Sequence, residues 1–217
     1  MTKYSSINIY TPGLFTKLNA PDIYNGFEFE ELFKEFSVNF EKEETFDALF
    51  FKETNIKTVV LKNGVEIFLN REIIAPNMFI NFNETSAVSL NITLMADDPI
   101  RASGFKLVKK LFNLGNTSVS FTRADYSKQG HFYLNNGSLM LWKEYQKAGG
   151  TLVISNCGFK LKENLLKAFD KYSFLIFELN PGLDESAVYE LALIKPPSEK
   201  FNIKTGLFDL ELNLTER

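Results

Sequence analysis

The chain has one cysteine, one histidine and one tryptophan in 217 residues. A lone Cys157 can form neither an intrachain disulfide nor a cysteine-based zinc site. A lone His131 removes every multi-histidine metal centre. No Gly-x-Gly-x-x-Gly and no Gly-Lys-Ser/Thr loop occurs, so no nucleotide-phosphate cradle is signalled. No apolar run approaches the length of a membrane-spanning helix, and the opening Met-Thr-Lys-Tyr-Ser-Ser carries no signal-peptide pattern. These absences point to a soluble cytoplasmic protein with no membrane partner, no cofactor and no metal site.

Phenylalanine is abundant, at 22 residues, and Phe brings a large apolar area with no polar atom to satisfy. The chain therefore buries a sizeable core and is ordered over most of its length. The net charge of −3 disfavours nucleic acid as a partner, because neutralising phosphates needs clustered Lys and Arg. Charge is unevenly spread. Residues 27–54 hold nine acids against three lysines, a net −6, which leaves +3 for the remainder.

Periodicity suggests a mixed α/β fold. Ile7–Tyr10 reads as an edge strand, ended by Thr11-Pro12-Gly13. Phe29, Phe33, Phe36 and Phe40 recur at i, i+4, i+7 and i+11, which predicts an acidic, Phe-striped helix. Phe46, Leu49 and Phe50 continue it as a second short helix or a strand. Lys57–Leu61 and Val65–Leu69 flank Asn63-Gly64 and predict a hairpin; Met78–Asn83 and Ala87–Met95 read as two further strands.

From there the pattern predicts β-α-β-α-β-α-β with a largely parallel sheet. Asp98-Pro99 would start a helix that runs to Gly115 and carries Arg101, Lys106, Lys109 and Lys110. Strand Ser118–Thr122 follows. Leu139–Ala148 is read as a helix capped by Ser138, with a hairpin on Asn135-Asn136-Gly137 as the alternative. Strand Thr151–Asn156, a helix through Leu161–Tyr172 and strand Phe174–Leu179 complete the run, and strands Val188–Ile194 and Phe208–Leu214 form the tail. One compact domain, 1–217, is the simplest organisation, with sub-parts 1–54 (helical or irregular) and 55–217 (α/β body).

In an open parallel sheet, ligands bind beyond the carboxyl ends of the strands. That placement would gather Asp97 and Asp98, Arg123, Asp125 and Ser127, and Asn156 and Cys157. Asp97, Asp98, Asp125 and Ser127 are the catalytic candidates; Arg123 and Asn156 are binding candidates. Phe29, Phe33 and Phe36 are candidates for docking a partner. Met95-Ala96-Asp97-Asp98-Pro99 resembles the acidic pair of a response-regulator receiver domain. The third strand of the run ends Ile154-Ser155-Asn156, without the phosphorylatable Asp, so the resemblance covers one β-α step and does not extend to phosphotransfer. Ser118–Glu178 resembles the later half of a STAS domain, with Ser127 at the position of interest, although the turn Asp125-Tyr126-Ser127-Lys128-Gln129-Gly130 is looser than that family's Asp-Ser-x-Gly.

Two functions are carried forward. The first is a non-enzymatic interaction or regulatory protein, a subunit of a larger assembly that binds a protein partner or itself. The second is a metal-dependent hydrolase or phosphate-handling enzyme built on the acidic loops.

Overall fold

The computed structural model describes residues 2–3, 6–13, 26–74, 78–115, 118–134, 138–180 and 187–216. Side chains at 2–3, 118, 123–132, 141–148 and 187 are outside that description. In chain order the first strands are β1 (Thr2–Lys3), β2 (Ile7–Tyr10), β3 (Phe27–Glu28) and β4 (Phe33–Lys52). Next come β5 (Thr58–Asn63), β6 (Glu66–Glu72), β7 (Met78–Met95), β8 (Arg101–Ala102), β9 (Gly104–Val108) and β10 (Lys110–Asn113). Two long strands follow, β11 (Ser118–Tyr133) and β12 (Leu139–Cys157), then the helix α1 (Phe159–Lys171). β13 (Leu175–Leu179), β14 (Ala187–Leu193), β15 (Ser198–Asn202) and β16 (Leu207–Glu216) end the chain.

This corrects the expected α/β fold. Every pairing whose register is described runs antiparallel, and α1 is the one helix among the described residues. No β-α-β-α-β-α-β run exists there. The Phe-striped segment is the strand β4: Phe36, Val38 and Phe40 turn toward the core, whereas Phe33, Glu35, Ser37 and Asn39 face out. Phe36-x-Val38-x-Phe40 satisfies a period of two as well as the Phe spacing satisfies 3.6. Pairing with β7 on one side, and with β9 further along, decides between them.

The helix expected after Asp98-Pro99 is β8, β9 and β10 instead. All five residues of β9 are buried, so no alternation was available to reveal the strand. The two strands expected at 78–83 and 87–95 are one, β7. Residues 139–148 lie in β12 and pair with β11, so the hairpin alternative is the observed one. Ile7–Tyr10 is a strand as expected, but it lies between β13 and β10 rather than at an edge, and all four residues are buried.

The chain divides into two compact units, residues 10–111 and residues 1–9 with 112–217. The 10–111 unit holds a five-stranded sheet in the order β6-β5-β7-β4-β9 and the short pair β3-β8. Its core is Val38, Phe46, Leu49, Phe51, Val59, Leu61, Leu90, Ile92, Leu94, Phe105 and their neighbours, with Phe27, Phe29 and Phe36 packed against it half-buried. Gly64, at φ +62°, opens the two-residue loop that joins β5 to β6, a conformation glycine adopts at no steric cost.

The other unit is built on the sheet order β1-β11-β12-β16-β14-β13-β2-β10, with β15 alongside β16. Leu165 and Ala168 of α1 are buried, as are Leu152, Ile154, Leu175, Ile176, Phe177, Leu210 and Leu212. Lys162 is buried too. Its Nζ sits 4.2 Å above the Phe208 ring and 2.8 Å from Glu199 Oε2, tying α1 to the β15–β16 hairpin.

Candidate functional site

Asp97 and Asp98 lie in the loop after β7, and a second loop, 53–57, is stitched to the segment that follows them. The Asn55 side-chain amide donates to the Pro99 carbonyl at 2.8 Å, and its Oδ1 accepts the Arg101 N–H at 2.8 Å. The Thr54 hydroxyl donates to the Arg101 carbonyl at 3.0 Å and accepts the Ile56 N–H at 3.1 Å. The result is a concavity of about 290 Å³ lined by Thr54, Asn55, Ile56, Lys57, Ile73, Ile74, Asp97 and Asp98. Asp98 does not cap a helix; it lines this hollow. Asp97 Oδ2 stands 3.8 Å from Lys57 Nζ, and both side chains are mostly exposed, so the pair is weak. Among the described residues no three His, Cys, Asp or Glu side chains are placed to hold a metal ion.

The other candidates belong to the other compact unit. Arg123, Asp125 and Ser127 occupy positions within β11, opposite Gly150, Ala148 and Gln146, rather than a loop beyond a parallel strand. Their side chains lie outside the described residues. Asn156 has φ +58° beside an irregularity between β12 and β16, and its N–H donates to Asp209 Oδ1 at 3.1 Å. Its role there is to turn the backbone. Cys157 is fully buried, with its Sγ 3.5 Å from the Gly158 carbonyl, and burial pushes its thiol above the usual range against the opposing influence of Lys162. A thiol held neutral is a poor nucleophile.

The three docking candidates separate as well. Phe36 and Phe29 face each other at 6.1 Å between ring centroids and pack on the core, with Lys34 Nζ 5.1 Å over the Phe29 ring. Phe33 points outward, 53 % exposed, directly across from Met95, which is 38 % exposed. Leu32 is exposed next to them, and its carbonyl accepts the Ala96 N–H at 2.9 Å. Phe33 and Met95, paired across β4 and β7, make one exposed apolar patch.

Sequence reasoning missed a second apolar surface. β12 pairs with β16 only from Gly149 onward, and β11 pairs with β1 only at Ser120 and Phe121. Residues 124–133 and 139–148 therefore pair only with each other among the described residues, a two-stranded ribbon of about 33 Å per strand. At its tip Tyr133, Leu134, Leu139 and Met140 are all exposed, the two leucines by 40 % and 48 %. The signal was present in His131-Phe132-Tyr133-Leu134 and Leu139-Met140-Leu141-Trp142, where apolar types stand at consecutive positions on both sides of Asn135-Asn136-Gly137.

Among the described residues no helix is long and apolar enough to cross a membrane. No protein-family model, no curated protein and no solved structure matches this chain.

Proposed function

We propose that this chain is a non-enzymatic cytoplasmic interaction protein, a subunit of a larger assembly that docks on a protein partner through the β11–β12 ribbon. One observation carries the reading: a two-stranded ribbon outgrows its sheet and ends in exposed apolar side chains. An isolated two-stranded hairpin is marginal in water, so a ribbon of this length gains stability when another surface covers it. Successive strand positions alternate between faces, and the tip has apolar residue types at consecutive positions, so both faces call for cover. An exposed cluster of this kind marks an interaction site.

A photo-crosslinking residue at Leu139, introduced into the chain in the cells that make it, tests the reading. Discrete protein adducts are expected from position 139 and none from Val88, an exposed residue remote in sequence. Equal labelling from both positions, or none from 139, removes the proposal. The acidic concavity has its own check: two solvated carboxylates without further ligands should leave the melting temperature unmoved by Mg²⁺ or Mn²⁺. A clear upward shift would favour a metal-dependent function at Asp97 and Asp98.

A further inference from the structure

We draw no further inference here: the strongest candidate, the exposed aromatic surface of Phe159 and Phe201 against Phe208 where α1 meets the β15–β16 hairpin, is an apolar face, and nothing in the structure shows what covers it.

Discussion

Gly150 shows how a single residue can hold three strands in register. It pairs with Arg123 of β11 on one side and Leu214 of β16 on the other. A methyl group there would lie 2.2 Å from the Thr122 carbonyl oxygen and 3.0 Å from the Phe121 ring. The nearer atom is backbone and cannot rotate away. Gly150→Ala should therefore destabilise the protein by about 3 kcal/mol or more, read as a lower urea midpoint. Gly158→Ala, where a methyl group meets nothing within 4 Å and φ is −70°, is the control for a general loss of glycine flexibility. At Asn156 the backbone is left-handed, so Asn156→Gly should be nearly neutral while Asn156→Val should cost about 1 kcal/mol or more.

Cys157 adds a pH dependence. Burial raises its native thiol above the usual value, so the native state keeps its proton where the unfolded chain has begun to lose it. Its contribution is complete below about pH 8.5 and fades as pH rises toward the native value. Wild-type stability should fall more between pH 7.5 and 9.5 than that of Cys157→Ala, in paired urea titrations (both pH values chosen to bracket about 8.5). Parallel slopes would remove burial of the thiol as the cause.

At the scale of elements, legibility followed how each strand is buried. The β5–β6 hairpin was readable because Asn63-Gly64 gives a turn a stereochemical reason, and β14 and β16 because they alternate. α1 was readable because Leu161, Leu165, Ala168 and Phe169 recur at helical spacing. β4 was misread since phenylalanines on both of its faces imitate a helical stripe. β12 was misread since Leu139–Ala148 is rich in helix formers, and intrinsic propensity yielded to pairing with β11 along its length. The site suffered from the same error. Asp97, Arg123, Asp125 and Asn156 were grouped by a parallel sheet that does not form, and the helical stripe that grouped Phe29, Phe33 and Phe36 separates in the fold, with Phe33 exposed and the other two packed on the core.

The junction of α1 with the β15–β16 hairpin carries a prediction at this scale. Lys162 Nζ lies 4.2 Å from the Phe208 ring and 5.3 Å from the Phe159 ring, which touch each other at 6.3 Å between centroids, and it reaches Glu199, which is itself half exposed. Lys162→Ala should cost about 1–2 kcal/mol through lost stem packing and cation–π contact. Glu199→Gln should cost only a few tenths, as an exposed partner does. A larger loss for Glu199→Gln than for Lys162→Ala would make the ion pair, not the contact with the two aromatic rings, the link that secures the helix.

For the whole molecule, the chain order of the units matters more than their composition. Residues 10–111 are one unbroken stretch, while the other unit is assembled from both sides of it. The ends of that stretch are bonded to each other: the Thr11 N–H donates to the Lys109 carbonyl at 2.9 Å, and the Lys109 N–H donates to Thr11 Oγ1 at 3.0 Å. Its apolar cluster, from Val38 to Leu107, lies wholly inside it. A segment with adjoining ends and a private core meets the conditions for folding alone, since closing it costs the remaining chain little loop entropy. The excised 10–111 fragment should thus unfold in one cooperative urea transition and show dispersed amide signals by NMR. It also takes with it 15 acids against 11 basic residues, a charge of −4 that leaves the rest of the chain at +1. The fragment should accordingly bind an anion exchanger more tightly than the full chain does near neutral pH. A fragment with collapsed amide dispersion and a broad transition would show that the acidic unit depends on the rest of the chain to fold.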